Sequence, residues 1–275
     1  MTHAFVVCAY GDSPYLEGCL RSLLKQTIKS DILLATSTPS AYLARLAKQY
    51  QIPLFVREGE SGLKEDWRFA LRVGGRRHTF VTLAHQDDRY HRDYTRELLA
   101  AYKKYPDLTV FASDYVVLKT CKKRLADGTF LPKKTQLICK DRVRFVKKLL
   151  RLPLRLHALA DRSAVKRSVL CLGNSICCPS CTYRLLPDGK ALFESGFSFA
   201  LDWDNLWTLA GRPGRFIVSE RPLVAYRIHA GAATKACLDS GRRESEEKTM
   251  FQKIWPEPFV RLLMYFYKRA YKEYE

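Results

Sequence analysis

The chain has 275 residues, 47% of them hydrophobic, and 47 Lys and Arg against 28 Asp and Glu, for a formal charge of +19. That apolar content excludes a disordered chain and suffices for one large α/β domain or two small ones. A stretch of about 18 apolar residues, the minimum for a membrane-spanning helix, is absent from the sequence.

The charge is concentrated. Residues 119–168 hold 16 Lys and Arg against 3 Asp, so this one segment carries +13 of the +19. Such a patch calls for an anionic partner: nucleic acid, an acidic membrane surface or a phosphorylated substrate. Nine cysteines, an odd number spread from Cys8 to Cys237, read as reduced thiols in a core, which favours the cytosol. Cys178 and Cys181 have C-x-x-C spacing, but the second hook of a closed zinc site is missing. The N-terminus enters a strand without the charged, apolar and small-residue regions of a secretory signal.

In chain order, His3 to Ala9 is a β-branched, apolar run that predicts a buried strand. Gly11-Asp12-Ser13-Pro14 then predicts a helix start, with Asp12 or Ser13 as cap and Leu16, Cys19, Leu20, Leu23 and Leu24 on one face. Strands follow at 31–35, 52–56, 78–84 and 109–118. Helices alternate with them, one through Tyr42, Leu43, Leu46 and Ala47, one over 66–73 and one through Tyr94, Leu98, Leu99 and Tyr102. This alternation predicts a doubly wound, mostly parallel sheet covered on both faces.

The strand over 78–84 runs out into His85-Gln86-Asp87-Asp88. Carboxylates at that edge stand where open α/β sheets bind ligands, and adjacent ones suit a magnesium or manganese ion with positions left for phosphates. A solvated turn is the other reading of the pair. No glycine-rich phosphate loop of either common type occurs, which favours the metal.

Within the basic segment, Asp141 is placed to cap a helix. Val143, Val146, Leu149 and Leu150 share one face of it, and Arg142, Arg144, Lys147, Lys148 and Arg151 make up the rest. It reads either as a solvated surface helix or as one lying on anionic lipid. It lacks the aromatic interleaving of single-strand nucleic-acid platforms, so no specific nucleic-acid partner is expected. Strands are predicted at 175–183 and 214–218. Between them Asp202 stands where a loop enters a helix bearing Leu206, Leu209 and Ala210, either as its cap or as a reactive carboxylate. Residues 259–274 predict a second basic amphipathic helix.

The order of these features resembles the family 2 glycosyltransferases, inverting enzymes of the GT-A fold that use nucleotide sugars. The resemblance rests on Val6 to Gly11 with Tyr15 to Thr27, on Leu83 to Tyr90, on Leu201 to Trp207, and on Tyr226-Arg227-Ile228-His229, and it covers residues 3–234. It implies an α/β GT-A-type sheet flanked by helices, with a basic helical insert and a C-terminal amphipathic helix. The expected divisions are a nucleotide-sugar-binding half (1–118), the insert (119–170), an acceptor-side half (171–235) and a helical tail (236–275).

By the same resemblance Asp87 coordinates Mn2+ or Mg2+ on the nucleotide diphosphate, Asp88 is a second ligand or an orienting partner, and His229 reaches the metal or the diphosphate. Asp202 matches the general base. Ala9, Tyr10, Thr36, Ser37, Lys64 and Asp66 are expected around the nucleotide sugar. His85 replaces the first aspartate of the metal motif, to meet a ribose hydroxyl or bind metal as neutral imidazole. Thr36 and Ser37 stand where acidic residues commonly read base and ribose, and Leu201 where a glutamate is common. The implied reaction is transfer of a sugar to a glycan or lipid-linked acceptor at the cytoplasmic face of a membrane, in cell-surface polysaccharide biosynthesis. The competing readings are a nucleotidyltransferase, a polyanion-binding protein, and an inactive relative serving as a partner subunit.

Overall fold

The computed structural model describes residues 2–124, 130–138, 142–185, 192–229 and 241–271. Strands β1 (His3–Ala9), β2 (Asp31–Thr36), β3 (Leu54–Val56) and β4 (Phe80–His85) lie parallel in the order β3-β2-β1-β4. Helices α1 (Leu16–Leu24), α2 (Ala41–Tyr50) and α3 (Leu63–Gly75) connect them. The short β5 (Arg89–Tyr90), helix α4 (Tyr94–Lys104) and the long β6 (Leu108–Arg124) follow.

Alternation along β1 sets up the two faces. Phe5 and Val7 pack with Leu16, Leu20 and Leu23 of α1, Leu43 and Leu46 of α2 and Tyr94 and Leu98 of α4. Val6 packs on the other face with Trp67, Ala70 and Leu71 of α3.

Three expectations are corrected. The segment read as wholly helical opens as a hairpin: β6 runs to Arg124 and pairs antiparallel with β7 (Phe130–Ile138) before helix α5 (Arg142–Leu150). Helix α6 (Ser163–Ser168) closes the segment, and Asp141, the expected cap of α5, lies outside the described residues. The strand expected over 175–183 is a 3-10 turn at Cys178–Ser180 followed by β8 (Thr182–Arg184). Pro179, with its fixed φ and no N–H, starts that turn rather than a ladder.

The third correction concerns α1, which begins at Leu16 without a side-chain cap. Ser13 Oγ accepts from the Tyr15 N–H (3.3 Å) just ahead of the helix and donates to Asp87 (2.7 Å), and Asp12 accepts from Ser40 (2.6 Å), the residue that caps α2 through the Leu43 N–H.

Beyond β8 come α7 (Leu201–Ala210) and β9 (Arg215–Ile228), then α8 (Arg242–Gln252) and α9 (Glu257–Tyr271). β8 pairs antiparallel with β4 and β6, and β9 pairs parallel with β6, so both halves share one sheet. Phe251 of α8 is fully buried against Trp203 of α7 (5.0 Å between ring centroids). Tyr267 of α9 meets Phe251 at 5.1 Å. These helices therefore pack into the domain, and the last residues expected in the tail helix, 272–274, lie outside the described ones.

Candidate active site

The carboxyl ends of the parallel strands form one edge, where Cys8 stands level with His85 and Ala9 with Thr36. Gln86 fastens it by accepting from the Tyr10 N–H (3.1 Å) and donating to the Tyr10 carbonyl (3.0 Å). Ala9 and Thr36 are buried, whereas Tyr10 stands out in solvent.

α3 starts three residues earlier than the helix expected over 66–73, so Asp66 lies inside its first turn. Its carboxylate accepts from Ser37 Oγ (2.9 Å) and Arg57 Nε (2.7 Å), tying the ends of β2 and β3 to α3. Lys64 lies half-buried in the same first turn.

Past β4 the two carboxylates diverge. Asp87 Oδ1 accepts from Ser13, while Oδ2 lies 3.1 Å from His229 Nε2, a buried nitrogen without an aligned hydrogen bond. Asp88 is 2% exposed; its Oδ1 accepts from the Arg227 backbone N–H (2.7 Å) and its Oδ2 is buried without a partner. Burial pushes the Asp88 carboxyl up to about 8, and the Asp87 charge adds to the rise while Arg227 opposes it.

The Arg227 guanidinium donates to the Asp87 carbonyl (2.8 Å) and sits 4.3 Å over the Tyr15 ring, a cation–π contact. Burial lowers its pKa, as does Arg89 nearby. Among the described residues no three His, Cys, Asp or Glu side chains form a metal-ligand cluster. His229 and Asp87 together present one nitrogen and one oxygen of the kinds that first-row divalent ions accept.

His85 turns inward. Its ring lies 5.5 Å from that of Trp67, and Nε2 is 3.8 Å from the Cys178 sulfur. Burial pushes the imidazole down to about 4 against the pull of Asp87, so it is neutral at pH 7.

Asp202 is the second residue of α7, not its cap. The loop leading into α7 is held from α8: the Glu246 carboxylate accepts from the backbone N–H groups of Ser198 (3.0 Å), Phe199 (2.6 Å) and Ala200 (2.9 Å). Asp202 Oδ1 accepts from the Trp203 N–H (2.8 Å), and Oδ2 from Asn174 Nδ2 (2.7 Å). Burial raises the Asp202 carboxyl to about 6, against the lowering effects of Lys147 and of hydrogen bonds that include one with Cys178. The Cys178 thiol thus stands between His85 and Asp202, bringing the two motifs together.

Ser13, Asn174 and Glu246 were not singled out as site residues from the sequence. Ser13 was legible only as a helix cap, and the contacts of Asn174 and Glu246 join residues remote in sequence.

A family model described as Glycosyl transferase family 2 matches residues 4–168. The chain belongs to that family. Among solved structures this family 2 chain is similar to the mannosyltransferase PcManGT from Pyrobaculum calidifontis, in complex with GDP-Man and Mn2+. That match has a TM-score of 0.62 at 14% identity over 95% of this chain and 67% of that one. It is also similar to S. aureus TarS 1-349 in complex with UDP-GlcNAc, with a TM-score of 0.54 at 16% identity over 84% of this chain and 60% of that one. The chain spans 37% of the length of a longer S. aureus TarS chain. At these identities the likeness is one of fold, and it agrees with the GT-A expectation. No curated protein sequence matches the chain.

Proposed function

We propose that the protein is an inverting glycosyltransferase that moves a sugar from a nucleotide-sugar donor to an acceptor hydroxyl. The observation that supports this reading is the buried Asp202 carboxyl, raised to about 6 and close enough to Cys178 for each to perturb the other, while the Cys178 sulfur lies 3.8 Å from His85 in the motif at the end of β4. In a single displacement Asp202 takes the proton of the acceptor hydroxyl as its oxygen attacks the anomeric carbon. The bond to the nucleoside diphosphate breaks on the opposite face.

The donor occupies the strand edge. Ala9 and Tyr10 border it, Thr36 and Ser37 stand at the end of β2 beside the place for base and ribose, and Lys64 and Asp66, the latter holding the Ser37 hydroxyl, close it from α3. Asp87 and His229 fit a divalent ion, since a buried imidazole nitrogen without an aligned partner stands 3.1 Å from a carboxylate oxygen. Such an ion, Mn2+ or Mg2+, supplies positive charge to the leaving diphosphate. Asp88, drawn onto the Arg227 backbone, orients that turn, and Arg227 adds a fixed cation. His85, neutral and packed on Trp67, shapes the wall in place of the usual aspartate.

The acceptor is a membrane-associated glycan or lipid-linked molecule, and the protein docks at the cytoplasmic face. No described helix is long and apolar enough to cross a membrane. α5 and the turn after it expose Phe145, Val146, Leu149, Leu152 and Leu156, and α9 exposes Phe259, Leu262, Tyr265 and Phe266. Exposed apolar side chains among Lys and Arg match an anionic lipid surface.

The test is a thermal-shift screen of nucleoside diphosphates and nucleotide sugars, with and without manganese, on wild type and Asp87→Ala. Metal-dependent stabilisation by one nucleotide, lost in the variant, supports the donor site. Absence of stabilisation by every nucleotide in folded protein would overturn it.

A further inference from the structure

The insert and the base are joined by a short chain of polar contacts. Asp114, fully buried in β6, pairs with Arg151 (2.7 Å) and with Arg144 of α5 (2.7 Å). Arg151 also donates to the Ser175 carbonyl (3.2 Å). The residue before it, Asn174, has a side chain committed at both ends. Its Oδ1 accepts from the Ile176 N–H (3.1 Å), a local turn contact, and its Nδ2 donates to Asp202 Oδ2 (2.7 Å).

We propose that Asn174 is the positioning residue of Asp202, braced from the basic insert through Arg151. This rests on Asp202 being the base. Asp202 Oδ1 accepts from the Trp203 N–H and Oδ2 from the Asn174 amide, and these two donors on opposite oxygens fix the plane of the carboxylate for the acceptor proton. Without the amide the carboxylate is free to rotate off the productive line, and a hydrogen bond favouring its ionised form is lost.

The other charged or titratable groups that bear on Asp202 are Lys147 of α5 and, from the segment after Asn174, Cys177, Cys178, Cys181 and Tyr183. From α8, Glu246 holds the backbone N–H groups before α7, and Lys253 pairs with Asp204 (2.7 Å). None of these is altered by a change at Asn174.

The experiment is a carbon-13 NMR titration of aspartate carboxyl carbons in the full chain, with the Asp202 signal assigned from Asp202→Asn. It needs no substrate. Asn174→Ala tests the whole side chain. Asn174→Ser retains an oxygen for the Ile176 N–H but is too short to reach Asp202, so it separates local folding from the contact.

The expected result is a rise of about one unit in the Asp202 pKa in both variants. Turnover should also fall about tenfold, with KM for the donor unchanged. An unmoved Asp202 titration in folded Asn174→Ser overturns the proposal, and so does a moved titration with turnover intact. If wild type transfers no sugar at all, the reading of Asp202 as the base fails, while the titration still reports the contact alone.

Discussion

Asp87, in the turn after β4, and His229, one residue beyond β9, bring a carboxylate oxygen and a ring nitrogen to within 3.1 Å of each other. Their elements do not pair directly, since β4 joins β8 and β9 joins β6 and β5. The contact therefore depends on the completed sheet. A nucleoside diphosphate at a hundred times its Kd, with manganese, should stabilise the protein by about 2.7 kcal/mol. Asp87→Ala and His229→Ala should each remove most of that shift in a melting experiment. Full stabilisation in metal-free buffer would contradict the pairing.

Asp202 links activity to a cost in stability. Its carboxyl is raised from 3.8 to about 6 by burial, so its stabilising contribution is complete below 3.8 and is lost as pH rises through 6. The same ionisation creates the base. Turnover should therefore climb with pH up to about 6 and then level, and Asp202→Asn should lower it by about 10²- to 10⁴-fold. The melting temperature of Asp202→Asn relative to wild type should rise between pH 4 and 6 and then stay flat. A difference that ignores pH would show that the carboxyl titrates elsewhere.

Glu246 of α8 holds the loop that leads into α7. One carboxylate accepting from three consecutive backbone N–H groups makes charge-assisted hydrogen bonds that fix that loop. Glu246→Ala should destabilise the protein by about 1.5–3 kcal/mol in urea unfolding. Because Asp202 follows that loop by two residues, turnover should fall further than the loss of folded protein explains.

Asp114 carries the anchor of the insert. Replacing it by Ala leaves Arg151, itself 6% exposed, as an uncompensated buried charge, with an expected cost of about 3–5 kcal/mol. Protection of α5 amides from hydrogen exchange should fall before that of β1 or β4. Equal protection in wild type and variant would mean that α5 is held by other contacts.

The exposed apolar residues of α5 predict lipid binding that depends on both charge and insertion. Flotation with vesicles containing anionic lipid should weaken as salt is raised. Phe145→Ser combined with Leu149→Ser should reduce flotation severalfold with the melting temperature unchanged, since both side chains are already in water. Equal binding to neutral vesicles at high salt would remove the electrostatic part of the proposal.

The parallel half was legible because its signals are local. β1 spans the residues that its apolar run predicts, and α2 begins at the Ser40 cap. The strand expected over 214–218 runs on to Ile228, with Pro222 at a register irregularity against Asp114, a place where a sheet tolerates proline.

Periodicity places Arg144 and Arg151 among the basic residues off the apolar face of the expected helix but does not say which face docks. The one sequence hint was Asp114, a carboxylate inside an otherwise apolar strand, which needs cationic partners if buried. Asp87 and Asp202 were legible through their motifs. Ser13 was not, because a hydroxyl that caps a helix and one that holds a carboxylate look the same in sequence.

The α8 clamp on α7 also has a meaning in time. A ribosome delivers residues 3–118 before α8, and the strand edge proposed for the donor is made almost entirely from them. Glu246, Phe251 and Lys253 emerge after every residue that they secure. A nascent chain can thus hold its strand edge in shape while the loop before Asp202 still lacks the carboxylate that secures it, so the proposed base is set in place only once α8 has emerged.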